Sequence, residues 1–426
     1  MTDNRAKTGK RFGRISLFVL VDALGWELVR THNFLSDILP FRNAMETVLG
    51  FSSAAIPTIL SGAMPESHGH WSLFKKARGL SCFTWTIPLL VLPRRLRENH
   101  RTRSFVSALT RRMYGISGYF CLYEVPVSML HVLDYVERKD LWAPGGLSGC
   151  SSIFDRLAQS SVPYYSSGWT RSDEEKSQDS VEAISSGALD CCFLYLSELD
   201  ATLHTYGLET RESKEALAAA GVRIRRLLSR AEKLYTTVDL FVFSDHGMTP
   251  VTDCRDLGAD IASSGLEKSG YRVFLDATMA RFWTKEERER TKIESALGGF
   301  GCGRVLSEED RKELGLRFRT NEYGDVIFVM DAGRLIVPSH VGGRALKAMH
   351  GFHPSDVHSR ASFLSSKEIN SPPRHIRDMF SLFVDRLELG VPEKSEGAES
   401  RSPGRNEEES SRAADSVTEQ SGTPQF

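Results

Sequence analysis

Three short apolar runs in the chain have the pattern of buried β-strands. They cover residues 15–21, 192–196 and 238–243, and each is almost continuously apolar instead of alternating between apolar and polar positions. Such runs are typical of parallel strands that are covered on both faces. Residues 213–234, between the second and third runs, place their apolar side chains at helical spacing. We therefore predict an α/β fold with a mostly parallel central sheet and helices on both faces.

Each predicted strand ends in polar residues of types that bind metal ions. Asp22 follows the first strand, and the polar segment 197–204 follows the second. Asp245 and His246 follow the third. In open α/β sheets, ligands bind beyond the carboxyl ends of the strands, at one edge of the sheet. We expect these residues to converge on one site.

The spacing of acidic and histidine residues in these segments suits metal binding. Asp200 and His204 are four positions apart, so a helix would present both side chains on one face. Asp245 and His246 precede a glycine, which permits a tight turn after the strand, and His350 precedes another. Each of these segments can therefore supply one or two ligands to a cation.

Three carboxylates and three imidazoles make up the predicted ligand set. The set is Asp22, Asp200, His204, Asp245, His246 and His350. This mixture suits zinc best and manganese less well, and it is too rich in nitrogen for calcium or magnesium. Two ions about 4 Å apart would activate a nucleophile and neutralise the charge that develops on a phosphoryl group. The alternatives are a helix cap for Asp22 and a surface role for His350.

A candidate nucleophile lies in residues 50–58, which read GFSSAAIPT. Pro57 suits the first turn of a helix that continues through Leu60. Ser52 and Ser53 would then lie where backbone amides can hold a phosphate, and a hydroxyl bound to a cation could attack as an alkoxide. The pattern does not choose between the two serines, and both could instead only cap the helix.

Composition and charge restrict the partners. The 54 Lys and Arg residues nearly cancel the 55 Asp and Glu residues, so the net charge would hold neither a nucleic-acid polymer nor an anionic membrane. The seven cysteines contain no CxxC pair and are odd in number, which favours a reducing compartment. The apolar runs near the N-terminus and at 82–92 are too short for a signal peptide or a membrane span. We predict a cytoplasmic protein without transmembrane helices and leave its oligomeric state open.

Two stretches depart from the alternation of strands and helices. Residues 73–147 are rich in aromatic and branched side chains and basic in patches, and we interpret them as an inserted cap that either packs onto the core or faces a lipid surface. Residues 256–345 are predicted to form a small subdomain beside the site. Residues 391–426 are rich in Ser, Glu and Arg and predict a disordered tail. The catalytic domain would then span 12–390 with its two insertions.

Five segments in order resemble the alkaline phosphatase superfamily, in its type I phosphodiesterase and nucleotide pyrophosphatase branch. They read VDALGWELV, GFSSAAIPTILSGAMPESHGHW, ELDATLH, FSDHGMTPV and MHGFHP. The resemblance covers roughly residues 15–385 apart from the two insertions. It implies an alkaline-phosphatase-like fold with two zinc ions. It assigns Asp200, His204 and His350 to one ion, and Asp22, Asp245 and His246 to the other.

The resemblance also implies a two-step mechanism. In the family, a Thr or Ser that bridges both ions is phosphorylated or nucleotidylated, and water then releases the product. Counting nine positions back from Ser61, which matches the Thr of the family's Thr-Gly step, gives Ser52. A shift of one residue in the loop gives Ser53. We therefore predict a metal-dependent hydrolase of phosphodiester or pyrophosphate bonds with a Ser-linked intermediate.

The sequence departs from the nucleotide pyrophosphatases after PESHG. An Asn that helps bind the phosphate in those enzymes is missing, and residues 70–73 read HWSL. The aromatic pair that holds a nucleotide base also has no clear match. We therefore predict a small phosphorylated substrate that can carry an apolar group, without specifying a nucleotide. The alternatives are a phosphomonoesterase or phospho-group transferase of the same superfamily, and a non-catalytic relative that binds a phosphorylated ligand.

Overall fold

A computed structural model of the chain describes residues 12–390, in which strands and helices alternate. The strands are β1 (Phe12–Val21), β2 (Phe41–Met45), β3 (Phe74–Lys76), β4 (Leu133–Tyr135), β5 (Tyr164–Ser166), β6 (Cys191–Leu196), β7 (Tyr235–Phe243), β8 (Thr249–Pro250), β9 (Asp253–Arg255), β10 (Tyr271–Leu275), β11 (Met279–Thr284), β12 (Gly303–Val305), β13 (Val326–Met330), β14 (Arg334–Ile336), β15 (Ala348–Met349) and β16 (Ala361–Ser365).

The helices lie between these strands and after the last of them. They are α1 (Trp26–His32), α2 (Ser52–Ser61), α3 (Pro65–His68), α4 (Arg94–Arg97), α5 (His100–Tyr114), α6 (Val127–Leu130), α7 (Ile153–Gln159), α8 (Asp173–Ile184), α9 (Glu198–Tyr206), α10 (Arg211–Leu234), α11 (Leu257–Ser263), α12 (Glu287–Gly298), α13 (Glu308–Glu313) and α14 (Asp378–Arg386). Thr84–Val91 and Val357–Ser359 are 3₁₀ segments.

A six-stranded sheet forms the centre of the fold, in the order β2-β16-β7-β1-β6-β5. β1 pairs in parallel with both β6 and β7, and β6 pairs in parallel with β5. β16 runs antiparallel to β7 and to β2. The three predicted strands are β1, β6 and β7. The prediction of an α/β fold with a mostly parallel central sheet is confirmed.

Alternate residues of β1 enter two separate cores. Leu17 and Val19 pack in one core with residues of α8 and α10, whereas Phe18 and Leu20 pack in the other with residues of α2, α7 and α14. Helices therefore cover both faces of the sheet. This explains why the run in the sequence is continuously apolar, since each side chain enters one core or the other.

The two predicted insertions each contain an apolar cluster. The cap region, 73–147, holds β3, β4 and α4–α6 around a cluster that includes Phe74 and Val106. The region 256–345 holds the antiparallel sheet β10-β11-β13-β12 with α11–α13. Residues 12–389 belong to one compact unit. The insertion boundaries stay predictions, and the predicted tail at 391–426 lies outside the described residues.

Among residues 12–390, no helix is both long and apolar enough to cross a membrane.

Replacing Phe18 with alanine should destabilise the fold strongly. Its ring is buried and lies 4.9 Å from Phe193 and 5.3 Å from Phe241, centre to centre. We expect the free energy of unfolding to fall by about 3–5 kcal/mol because the change leaves a cavity between the sheet and its helices. Urea denaturation measures it. Val222→Ala, at a position 57% exposed on α10, is the control, and an equal loss in both variants would contradict the prediction.

Candidate metal centre

The six predicted ligands come from segments that follow parallel strands or a short later strand. Asp22 follows β1, and Asp245 and His246 follow β7. Asp200 and His204 lie on α9, which begins two residues after β6. His350 follows β15. The structure brings them into two groups, Asp200 with His204 and His350, and Asp22 with Asp245 and His246. Within each group, the possible ligand atoms all lie within 4.8 Å of one another.

The first group is arranged around one carboxylate oxygen. Oδ1 of Asp200 lies 3.3 Å from Nε2 of His204 and 3.5 Å from Nε2 of His350. Asp200 and His204 occupy one face of α9, as their spacing predicts. Two imidazole nitrogens and a carboxylate oxygen therefore point at a common volume.

The second group lies deeper in the protein. Nε2 of His246 is 3.0 Å from Oδ2 of Asp245 and 3.5 Å from Oδ1 of Asp22. The other oxygen of each carboxylate is already engaged. Oδ2 of Asp22 accepts a hydrogen bond from the Tyr195 hydroxyl at 2.5 Å, and Oδ1 of Asp245 accepts one from the Ala23 amide at 3.3 Å. These bonds fix the orientation of both carboxylates.

Backbone carbonyls orient two of the imidazoles. Nδ1 of His204 lies 2.9 Å from the carbonyl oxygen of Ala348, and Nδ1 of His246 lies 3.0 Å from that of Gly247. A proton on each Nδ1 satisfies these contacts and leaves the Nε2 lone pair directed at the carboxylates. This is the tautomer that a metal-binding histidine uses when its other nitrogen donates to a carbonyl.

One oxygen of each carboxylate is buried without a hydrogen-bond partner in the described part of the chain. These atoms are Oδ1 of Asp22, Oδ1 of Asp200 and Oδ2 of Asp245. They are the same atoms that face the imidazole Nε2 atoms. A buried charged oxygen without a partner is strongly unfavourable, and a cation between oxygen and nitrogen donors removes the penalty. The residues therefore fit divalent metal ions.

The crowding of three carboxylates disturbs the protonation of the centre. Burial raises the pKa of Asp22 well above its usual value, and the charges of Asp245 and Asp200 raise it further. Burial acts against a proton on His246, but the carboxylates of Asp245 and Asp22 outweigh it and raise the pKa of His246 to about 10. Burial and the nearby His246 lower the pKa of His350 well below its usual value. Without metal ions, protons offset part of the excess negative charge.

The first turn of α2 places one serine at the centre. Oγ of Ser52 lies 3.0 Å from Nε2 of His246. Oγ of Ser53 instead donates to the Trp71 carbonyl oxygen at 3.4 Å. Phe51 occupies the N-cap position of α2, and no side chain caps the helix, so neither serine has the capping role that the sequence left open. Asp22 is likewise not a cap, because Gly25 is the N-cap of α1.

The predicted position of Pro57 is wrong. α2 begins at Ser52, so Pro57 is the sixth residue of the helix instead of a residue of its first turn. The residues from Ala54 to Leu60 are all buried, so packing stabilises the helix on both sides of the proline. The helix therefore accepts the loss of one backbone donor at the proline.

A cavity of about 510 Å³ lies beside the two groups. Ser52, Asp22, Asp200, His204 and His350 line one part of it. None of the described residues in its lining is a lysine or an arginine. Aromatic residues form much of the rest of the lining, namely Phe51, Phe74, Tyr119, Tyr123, Trp142, Trp169 and Tyr195.

A buried acid lies among these rings and was not predicted from the sequence. Burial raises the pKa of Glu137 to about 8, and the Tyr119 amide donates to its Oε1 at 3.4 Å. Glu137 and the rings of Tyr119 and Trp142 belong to the cap region, where no motif marks them. Only the tertiary arrangement places them at the cavity.

A comparison with known protein families shows to which family the chain belongs. The profile of the family described as type I phosphodiesterase / nucleotide pyrophosphatase matches residues 16–353. The chain belongs to this family. The predicted branch of the alkaline phosphatase superfamily is therefore confirmed. Membership supports hydrolysis of phosphodiester or pyrophosphate bonds by an enzyme of a metal-dependent family.

Solved structures of similar proteins share the fold. Murine ectonucleotide pyrophosphatase / phosphodiesterase 5 matches with 16% identity and a TM-score of 0.62, over 88% of this chain and 95% of that chain. The human protein of the same name matches with 15% identity and a TM-score of 0.63, over 88% of this chain and 96% of that one. An inactive murine variant in complex with AMP matches with 16% identity and a TM-score of 0.61, over 89% and 96%. No curated protein matches the chain.

Removing the Tyr195 hydroxyl should weaken metal binding without unfolding the protein. Tyr195→Phe deletes the donor that holds Oδ2 of Asp22, so we expect the affinity for a divalent metal to fall about tenfold to a hundredfold. Competition with a chromophoric chelator measures it. Tyr235→Phe is the matched control, because Tyr235 is also buried and its hydroxyl donates to the Ile184 carbonyl at 3.1 Å. Equal affinities for Tyr195→Phe and the wild type would contradict the prediction.

Proposed function

We propose that the chain is a metal-dependent hydrolase of phosphodiester or pyrophosphate bonds that forms a covalent intermediate on Ser52. The observation that carries the proposal is the position of the Ser52 hydroxyl, 3.0 Å from Nε2 of His246 and in the lining of the same cavity as Asp22 and Asp200. Ser53 points to Trp71 and is the less suitable nucleophile.

The two groups of donors would each hold one divalent ion. Each group combines oxygen and nitrogen donors with no thiolate, which favours zinc and makes manganese the second choice. When bound, such ions favour a deprotonated serine and offset the negative charge on the phosphoryl oxygens. The unpaired oxygens of Asp22, Asp200 and Asp245 support this assignment.

The residues of the chain support a two-step reaction. Oγ of Ser52 loses its proton and attacks phosphorus, a bond from Oγ to phosphorus forms, and the bond to the leaving oxygen breaks in line with it, with a proton from solvent completing the leaving alcohol. The first two amides of α2, those of Ser52 and Ser53, have no acceptor within the helix and can hold a phosphoryl oxygen. Water then attacks phosphorus, its oxygen stays on the phosphate, the bond from phosphorus to Oγ breaks, and one proton of the water restores the Ser52 hydroxyl. The phosphorylated product leaves, which completes the hydrolysis.

The lining of the cavity indicates the chemical character of the groups attached to the phosphate. Its aromatic lining suits an apolar or planar leaving group, and the lack of lysine and arginine disfavours further phosphates. In the stretch 70–73, where the Asn is missing, Ser72 lines the cavity and accepts a hydrogen bond from Arg281 at 3.0 Å. The murine relative bound to AMP supports a nucleotide-sized substrate. We therefore propose a small phosphodiester with an apolar or aromatic group.

The cytoplasm remains the location that we propose for the protein. All seven cysteines are free in the structure, and free thiols suit a reducing compartment.

Loss of the Ser52 hydroxyl should abolish turnover. With zinc present, we expect the wild type to hydrolyse a chromogenic phosphodiester faster than the matching monoester, and Ser52→Ala to lower kcat at least about a thousandfold. Ser53→Ala is the control and should retain most of the activity, because its hydroxyl makes only a 3.4 Å contact with a carbonyl. A chelator should stop turnover.

The other outcomes of this assay identify the alternatives. Faster turnover of the monoester would make the protein a phosphomonoesterase, and transfer of the phosphoryl group to an added alcohol would make it a transferase. Full activity of Ser52→Ala together with inactivity of Ser53→Ala would show that Ser53 is the nucleophile instead of Ser52. No turnover of either ester would favour a binding role.

Each donor group should account for one metal ion. We expect the purified protein to contain two equivalents of metal, measured by inductively coupled plasma mass spectrometry. Asp200→Ala and Asp245→Ala should contain about one equivalent each, because each change removes a ligand from one group. Asp331→Ala, at an exposed site remote in sequence from both groups, should keep both ions. A wild type with one ion, or variants with two, would contradict the two-ion assignment.

A further inference from the structure

The outer surface of the cap region exposes many apolar side chains. Of the twelve large apolar side chains that are exposed among the described residues, seven lie between residues 80 and 114. Leu80 is 91% exposed and Val91 is 87% exposed. A folded soluble protein rarely concentrates exposed aliphatic groups in one short stretch unless the surface has a partner. We call the exposed side of Thr84–Val91, α4 and α5 the cap face.

Two of the three elements of the cap face bury their opposite side. Phe83 beside the 3₁₀ segment, and Val106 on α5, belong to the same buried cluster, whereas α4 has no buried residue. At about 100° per residue, Arg101, Phe105 and Arg112 lie within about 40° of one another around α5 and about 100–140° away from Val106. The Phe105 ring is 57% exposed and lies 6.3 Å from that of Trp85 in the 3₁₀ segment. The exposed groups of the two elements are therefore adjacent.

The cap face is also strongly basic. Residues 84–114, which contain its three elements, hold seven arginines and a single acid, Glu98, although the whole chain has a net charge of only −1. Glu98 is occupied by Arg97 at 3.3 Å and Arg103 at 3.0 Å. Four exposed arginines make no salt bridge with any described residue, namely Arg94, Arg95, Arg101 and Arg112.

We propose that the cap face binds the surface of an anionic lipid membrane. Exposed aliphatic and aromatic side chains such as Val91 and Phe105 would enter the boundary between headgroups and acyl chains. The unpaired arginines around them would contact the anionic headgroups. The neutral charge of the whole chain does not oppose this, because screening limits the attraction to charges near the surface.

The chemistry of the cap face favours a membrane over other partners. A nucleic acid would leave Ile87 and Val91 in contact with a charged backbone, which gains nothing from aliphatic groups. A second copy of the chain, packed through the same face, would bring the arginines of both copies together. Lipid headgroups with acyl chains beneath them match both the basic and the apolar groups.

The test is sedimentation of the full chain with lipid vesicles. We expect it to sediment with vesicles of phosphatidylcholine that contain about 30% phosphatidylserine and to stay in solution with pure phosphatidylcholine. Added salt should weaken the binding. The triple variant Arg94→Glu, Arg95→Glu and Arg101→Glu, and the double variant Val91→Asp and Phe105→Asp, should each reduce the bound fraction at least about tenfold.

Matched variants elsewhere separate the cap face from general effects of charge and exposure. The triple variant Lys285→Glu, Arg288→Glu and Lys292→Glu reverses three exposed charges in and beside α12, and Val222→Asp changes a side chain 57% exposed on α10. Both should bind vesicles like the wild type. All variants should keep the melting temperature and the turnover of a soluble ester, because the substituted groups are exposed and lie outside the metal centre and its cavity.

Three results would overturn the proposal. They are no binding to anionic vesicles, equal binding to neutral vesicles, and an equal loss of binding in the cap-face and control variants. A dimer in light scattering that Val91→Asp disrupts, without any vesicle binding, would assign the cap face to a second copy. None of these results depends on whether the protein hydrolyses phosphate esters.

Discussion

Parallel pairing of β1 with β6 and β7 is the interaction on which the site depends. In this register Val21 lies opposite Leu196, and the amide of Asp22 donates to the Leu196 carbonyl oxygen at 2.8 Å. The three strands therefore end together, and the residues that follow them meet at one edge of the sheet. A slip of one residue would turn every side chain of β1 to the opposite face of the sheet. Packing of β1 in the two cores therefore fixes the register and, with it, the positions of the site residues.

The same convergence places charges where the fold alone does not stabilise them. Three carboxylates meet with one oxygen of each buried and unpaired, and Asp245 is fully buried. Hydrogen bonds from the Tyr195 hydroxyl and the Ala23 amide fix the second oxygens of Asp22 and Asp245, so these two carboxylates cannot turn away from each other. The arrangement is explained by a ligand that binds the folded state, since binding stabilises that state by mass action.

The sequence predicts those parts of the fold and of the site that depend on local patterns of residues. Continuous apolar runs identify β1, β6 and β7, and the polar residues after them identify the edge of the sheet where the ligands meet. The start of β1 is missed because its first residues are partly exposed, and their conformation depends on pairing of Phe12 with Tyr235. β16 is missed for a similar reason, since its serines are polar but buried by pairing on both sides. Trp142 and Glu137 reach the cavity only through tertiary packing, so no spacing in the sequence marks them.

The choice between two adjacent serines shows where sequence reasoning ends. Both hydroxyls lie in the first turn of α2, and consecutive residues of a helix point about 100° apart, so only one can face His246. The turn before the helix decides which one. Gly50 has a φ of 133°, and a Cβ there would lie 3.1 Å from Nε1 of Trp71, which itself donates to the Leu49 carbonyl at 2.6 Å. Packing of a tryptophan some twenty residues later in the chain thus positions Ser52, and no motif within residues 50–58 contains that information.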